Sequence, residues 1–433
     1  MSTLSSTELT KVRDAMARAL SGDDVNQLGR DTGQAKRLRT VTPHRLFLAI
    51  VSALAGAHVE SLADLLRAFN YQNGVQVAYK AFYNRLAHVG FATFMREMLA
   101  RLIERLSVQT LTPEGQVAVA RFKDIVIQDG SSFALKQALR GTFPGRFTTI
   151  EPAAVEVHAT YSGFSDEICS VQIAPDADAE RPFLPDPSTL KDRLLLADRG
   201  YPSVPYFEAV REHGGSFIVR LTRSYDPWVR TAWVDGRRAD MSTRIRLSRF
   251  LAQHPACRMD LDVEYERGHR VVGFRVVALP GRDKAMTRLC TNLPRTPFSL
   301  DLVARLYRLR WQIERCFKEW KSYANLHKFD TANAHIAEGL IWAGLCAAVL
   351  KRFLAHAAQR VGKGTAMSTR RVAMCAHHIL DELVTALLVG FGLLRTLRRG
   401  LAYLLENAKR ANVPRERRTG RLRAGLAIVQ PVK

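Results

Sequence analysis

No long hydrophobic run, no cysteine motif and no low-complexity block marks these 433 residues, and each absence removes a class of protein. The longest apolar stretch, Ile336 to Leu350, contains Glu338 and ends at Lys351-Arg352. It is short for a bilayer span, so a buried helix is expected and no membrane partner. The six cysteines (Cys169, Cys257, Cys290, Cys316, Cys346 and Cys375) form no Cys-x2-Cys pair, which leaves neither a disulfide framework nor a zinc cluster to expect. Gly and Pro number only 27 and 17, which excludes a fibrous or mainly disordered chain, and no period of 20–50 residues announces a solenoid. From Met1 to Ser21 no charged segment precedes an apolar one, so a secretory signal is not expected and a cytoplasmic location is.

Acidic residues are also scarce. Lys and Arg number 64 against 41 Asp and Glu, a formal charge of +23 and a pI near 10.2, a balance that suits polyanionic partners and nucleic acid above all. The deficit is uneven: residues 116–202 are net acidic, while the segments before and after are basic and 301–433 most strongly so. In a protein otherwise fitted to phosphate, an acidic island suggests carboxylates gathered around a divalent cation.

Apolar residues recur at helical spacing from Glu8 to about Arg105, as in Leu46, Ile50 and Leu54. Ser61 opens one such helix, Asn70 to Gly74 breaks it, and Val75 to Ala87 carries Lys80 and Arg85. The outline is compatible with a helix-turn-helix, with Lys80 and Arg85 as candidates for groove contacts. After Pro113 the pattern changes. Ile125-Val126-Ile127 and Leu194-Leu195-Leu196-Ala197 read as buried strands, ended by Asp129-Gly130 and by Asp198-Arg199-Gly200. Between about Arg223 and Pro294 alternation dominates, with a hairpin around Arg267 to Arg270, and helices resume at Leu300. The fold class expected is α/β, a mixed sheet with an inserted β-rich part and helical flanks.

Two aspartates at the ends of buried strands are rigidly held yet open onto a crevice. Along LVARLYRLRWQIERCFKEWKS, Tyr307, Arg310, Glu314 and Lys321 stand at −7, −4, 0 and +7, which at about 100° per residue places all four within an arc of about 60°. Leu306, Leu309, Ile313, Phe317 and Trp320 make a second, apolar face, and Trp311 with Trp320 is expected to pack. A salt-bridged solvent face is the plain alternative for the first arc.

DGSS at Asp129, ADRGY at Asp198 and the spacing Tyr-x2-Arg-x3-Glu-x6-Lys together resemble the signature of the insertion-sequence-four family of transposases. The resemblance implies a ribonuclease H-like core over 116–222 and 300–330, a β-rich insertion over 223–299, a helical DNA-binding region over 1–115, and a helical, basic region over 331–433 that is the candidate for dimerisation. It implies that Asp129, Asp198 and Glu314 are the catalytic metal ligands, for Mg²⁺ or Mn²⁺ and two ions, since all-oxygen donors suit hard cations. Tyr307, Arg310 and Lys321 would bind phosphate at the DNA end, and Trp228 or Trp233 would stack a base. The implied activity is cleavage at terminal inverted repeats in double-stranded DNA, through a hairpin, followed by joining of 3′-OH ends to target DNA, by a homodimer associated with the bacterial nucleoid when DNA-bound. A nuclease that never joins strands, or an inactive DNA-binding regulator, are the alternatives.

Overall fold

A computed structural model describes residues 4–411 apart from 57–58, 107–118, 120, 242, 269, 282–285, 325, 327–328 and 364. The arginine-rich tail expected beyond Ala408, Arg415 to Arg423, lies outside the described residues.

The N-terminal helices are α1 (Ser6–Ala19), α2 (Gly22–Asp31), α3 (Pro43–Ala55), α4 (Leu62–Asn73), α5 (Tyr79–Leu86) and α6 (Val89–Leu106). Local chemistry sets their ends. Thr42 caps α3 with Pro43 following, Ser61 and Asp64 form a reciprocal capping box on α4, and Gly74 closes α4 in the left-handed region at φ 60°. The break between α4 and α5 is therefore where the residues between Asn70 and Gly74 suggest, with α5 beginning only at Tyr79.

The sheet strands are β1 (Asp124–Ala134), β2 (Pro144–Phe147), β3 (Glu151–Ser162), β4 (Glu167–Pro175), β5 (Arg193–Ala197) and β6 (Ser216–Arg220), with α7 (Val204–Glu212) crossing between the last two. Strands β1, β5 and β6 run parallel, while β3 pairs antiparallel with β1 and with β4. The continuous apolar runs of β1 and β5 follow from burial on both faces of a central parallel pair. Leu194 and Leu196 join Ile125 and Ile127 in one apolar core, whereas Val126, Leu195 and Ala197 belong to the other.

β1 departs from the sequence reading. Asp129-Gly130 is no turn; the strand continues to Ala134, with Asp129 opposite Ala159 and Gly130 opposite His158 on β3. What ends at this point is the neighbour: β5 stops at Ala197, paired with Gln128.

Residues expected as an inserted β-rich part form β7 (Trp228–Val234), β8 (Arg237–Arg238), β9 (Ile245–Arg246), α8 (Leu247–Gln253), β10 (Met259–Arg267), β11 (Arg270–Pro280) and β12 (Met286–Thr291). They do not make a separate sheet. β12 pairs with β6, so one mixed sheet of 12 strands runs β2-β3-β1-β5-β6-β12-β11-β10-β7-β8, with β4 on β3 and β9 on β7. The buried Arg275 of β11 ties this part together through both oxygens of Asp260, at 2.8 and 2.7 Å.

Helices resume as α9 (Leu300–Tyr307), a 3₁₀ turn at Arg308–Arg310, α10 (Trp311–Tyr323), α11 (Ala334–Val361), α12 (Thr369–Val389) and α13 (Leu393–Asn407). The stretch read as one helix is thus overwound at Arg308–Arg310. Helix α11 holds the apolar run and is a core helix, 89% of its most apolar window buried inside the protein. N- and C-terminal helices share this core: the Phe91 ring of α6 occupies the place that a side chain at Gly339 of α11 would need.

A buried polar knot joins α11 to the sheet and to α10. Arg352 donates to Asp166, between β3 and β4, at 2.9 Å and to Glu319 of α10 at 3.1 Å, and His356 lies 3.3 Å from both Asp166 and Glu167. Burial opposes charge on His356, but the hydrogen bonds and charges of the two acids prevail and raise it to about 8. A folded pKa above the unfolded value of about 6.5 contributes stability that is complete below pH 6.5 and lost as pH rises through 8, about 2 kcal/mol in all. The stability difference between wild type and His356→Gln should therefore shrink over pH 6.5–8 in denaturant titrations; a difference constant across that range would refute the assignment.

Candidate functional site

The register of β1 and β5 makes the site. Gln128 pairs with Ala197, so Asp129 on β1 and Asp198, just past the end of β5, are the next residues along two neighbouring parallel chain segments. Alternation turns both toward the face that carries Ile125, Ile127, Leu194 and Leu196, and against that face packs α10 through Ile313, Cys316 and Phe317. Glu314, in the first turn of α10, is thereby brought to the same crevice.

Arg310 stands between the three carboxylates. Its side chain is 7% exposed; Nη1 donates to Asp129, Nη2 donates to Glu314 at 2.8 Å and lies 4.0 Å from Asp198. Tyr307 donates its hydroxyl to Asp198 at 3.0 Å, and Arg220 of β6 stands 3.8 Å from the same carboxylate. Burial raises Asp129 to about 7 against the pull of Arg310, with Asp198 and then Glu314 adding to the rise. For Arg310, burial opposes the charge, but the carboxylates, Asp129 foremost, keep its pKa above the ordinary arginine value. Three acids around one cation leave an excess of negative charge, and the buried Arg310 Nε has no acceptor. The donor set is all oxygen, which fits a hard divalent cation. As they stand, no three His, Cys, Asp or Glu side chains among the described residues are grouped so as to share one metal ion.

Other residues singled out in the sequence lie farther off. Lys321 is exposed, with Nζ 5.1 Å from the centre of the Phe133 ring on β1, so it sits beside the crevice rather than in it. Lys80 is exposed on α5, whereas Arg85 is half-buried and donates to the Gln34 carbonyl at 3.3 Å. Trp228 and Trp233 are on β7, five strands from β5 and hence about 24 Å across the sheet. Arginines cover their rings: Arg246 lies 3.9 Å and Arg244 4.7 Å from Trp228, and Arg295 lies 3.9 Å from Trp233. Trp320 packs as expected, but Trp311 is 57% exposed and stands three residues before Glu314, on the same side of the helix.

Sequence reasoning missed a second acidic layer. Glu180 Oε2 fills the space over Gly200 where a Cβ would stand, and Glu156 Oε1 does the same over Gly130. Each of the two crevice aspartates thus has a glycine within two residues whose missing side chain admits a glutamate. Arg146 bridges the pair, 3.2 Å from Glu156 and 3.6 Å from Glu180, and its backbone N–H donates to Asp176. Phe183 stacks on His158 at 3.8 Å, and the Tyr201 hydroxyl lies 3.4 Å from Nδ1 of that histidine. Only the glycines signalled this, and a glycine after aspartate reads first as a turn.

Comparison with known proteins gives matches along most of the chain. The family described as "Transposase DDE domain" matches residues 120–350. The transposase for insertion sequence element IS1151 of Clostridium perfringens is 18% identical over 71% of this chain and 72% of its own length. The transposase for IS231E of Bacillus thuringiensis subsp. finitimus is 20% identical over 79% and 80%. A solved structure of the piggyBac transposase synaptic complex with hairpin DNA overlaps 94% of this chain and 89% of its own at TM-score 0.43 and 10% identity.

Proposed function

This chain belongs to the transposase DDE domain family and is a DNA transposase, a DNA-binding enzyme that depends on a divalent metal; from that premise we propose that Asp129, Asp198 and Glu314 are its catalytic carboxylates. One observation carries the assignment: acids from two neighbouring strands and a helix, 69 and 116 residues apart in sequence, converge on a single guanidinium in one crevice. The strand order β4-β3-β1-β5-β6, with β1, β5 and β6 parallel and β3 antiparallel, supports a ribonuclease H-like core.

Asp129, Asp198 and Glu314 would hold Mg²⁺ or Mn²⁺, in two ions, and the bound cations would supply charge neutralisation and an activated oxygen nucleophile. The protein's own groups do the rest. Arg310 leaves the carboxylates for a phosphate oxygen of the DNA end, where its planar fork donates two hydrogen bonds. Tyr307 holds Asp198 in place until its hydroxyl turns to the same phosphate, and Lys321, beside Phe133, offers a point charge farther along the strand. Water cleaves the phosphodiester at a terminal inverted repeat and leaves a 3′-OH. That oxygen attacks the phosphodiester of the opposite strand and closes a hairpin as the 3′-oxygen of the flanking DNA leaves. A second water reopens the hairpin, and the freed 3′-OH attacks a target phosphodiester whose own 3′-oxygen departs.

Base stacking fits Trp311 better than Trp228 or Trp233, because its ring is exposed on the Glu314 side of α10 while theirs lie beneath arginines. Substituting Trp311 with Ala should slow end processing about tenfold, as expected when one stacked base loses its platform; an unchanged rate would remove Trp311 from the site. Helix α12 leaves more than half of its apolar window unburied, with Met374 and Val389 exposed, which supports assembly as a homodimer through the C-terminal helices.

The test is incubation of the full chain with Mg²⁺ and labelled duplexes carrying the inverted repeats that flank its gene. Hairpinned and joined products, in complexes that sediment with two chains, are the expected result. Cutting without joining would point to a nuclease, and binding without cutting to a regulator.

A further inference from the structure

Beside the catalytic face of α10 lies a cavity of about 450 Å³ between that helix and the start of α12, lined by Arg315, Lys318, Ser322, Ser368, Arg370 and Arg410. Among the described residues Glu319 is the one carboxylate at its wall, and it is already committed to Arg352 and to the Thr369 hydroxyl. Among the described residues, Arg315, Lys318 and Arg370 have no carboxylate within ion-pair distance. Burial, and next the neighbouring Arg315 guanidinium, holds Arg410 below the ordinary arginine pKa. Like charges gathered along one concavity make a surface that attracts an anion.

Helix geometry links the cavity to the reaction. Taking Glu314 as 0°, Lys318, Ser322 and Arg315 fall at about 40°, 80° and 100°, and Ser322 is about 12 Å along the axis. The basic wall is thus the continuation of the catalytic face, displaced to one side and toward the C-terminus of α10. A strand whose reacting phosphate lies at Glu314 has a path along this wall into the cavity. The volume is large for one inorganic phosphate and suits a stretch of sugar-phosphate backbone.

We propose that this cavity is a second DNA-backbone site, taking phosphates roughly two to four nucleotides from the reacting one and joining the catalytic helix to the C-terminal helices through the bound strand. The proposal rests on the transposase reading above. It assigns to Arg315, Lys318 and Arg370 a role in holding the strand and none in the chemistry.

The test uses the full chain and the double variant Lys318→Ala/Arg370→Ala; both side chains are exposed, so folding should be retained, and circular dichroism melts check this. Affinity for a fluorescent end duplex is followed by anisotropy from 50 to 200 mM KCl. The double variant should bind about tenfold or more weakly at the low-salt end, with a salt slope reduced by about 2, near 0.9 for each phosphate that the protein no longer neutralises. Cleavage at saturating DNA should be unchanged, and Lys318→Arg/Arg370→Lys should restore both affinity and slope. Ethylating phosphates two to four nucleotides from the cut should weaken wild type and leave the double variant unaffected. An unaltered affinity and slope in the double variant, with wild type binding normally, would overturn the cavity assignment and leave the transposase reading intact. Wild type that bound no DNA would overturn both. Calorimetry with inorganic phosphate distinguishes the other source of the same anion: binding lost in the double variant while DNA affinity stays would make this a free-anion site and overturn the proposal.

Discussion

Glu314→Gln binds end DNA as wild type does but cuts it at least about a thousandfold more slowly, a loss of ~4 kcal/mol in transition-state stabilisation. Glutamine keeps the shape and accepts the Arg310 hydrogen bond through its amide oxygen, so the fold and the DNA surface persist. What goes is the one of the crevice's three acidic charges that α10 supplies. The measurement is a single-turnover cleavage time course with a binding control on the same duplex. Cleavage within tenfold of wild type would show that Glu314 is a surface acid paired to Arg310 and nothing more.

Arg310→Ala loses about 2–3 kcal/mol of stability in EDTA, and added Mg²⁺ stabilises it more than it stabilises wild type. The size follows from leaving Asp129, Asp198 and Glu314 facing one another, discounted because those carboxylates are 14%, 26% and 27% exposed. With the arginine absent, repulsion among the acids is relieved only by a cation from solution. Denaturant midpoints with and without Mg²⁺ measure both effects. A variant as stable as wild type in EDTA would mean that Arg310 does not neutralise the acids in solution.

Parts of this arrangement are legible in the sequence for definite reasons. The apolar runs before Asp129 and Asp198 identify two buried strands, and the i, i+4 spacing of Arg310 and Glu314 predicts their contact at 2.8 Å. The position of Arg310 is not legible. A helix face says which residues share an arc but not how deep the crevice opposite is, and the overwound turn at Arg308–Arg310 brings that guanidinium against β1. Asp129-Gly130 reads wrongly as a turn because the smallness of Gly130 serves Glu156 on the adjacent strand, 26 residues away, which local patterns do not encode. Trp311 reads as a packing residue because an aromatic on an amphipathic helix usually packs; only the side of α10 left open to solvent corrects it.

The single continuous sheet has a consequence for how such a chain tolerates change. Strands β7 to β12 are added outward from β6, beyond the two aspartates, so their number can grow or shrink without shifting Asp129 against Asp198. A one-residue insertion within β1 is a different matter, since it would turn Asp129 to the opposite face and empty the crevice of one acid. Excising the outer strands would likewise bare the unpaired backbone of β6, an edge ready to join another chain. The added strands therefore act as a cover for the core's open margin, and shortened versions of the protein are expected to self-associate before they lose the fold of the site.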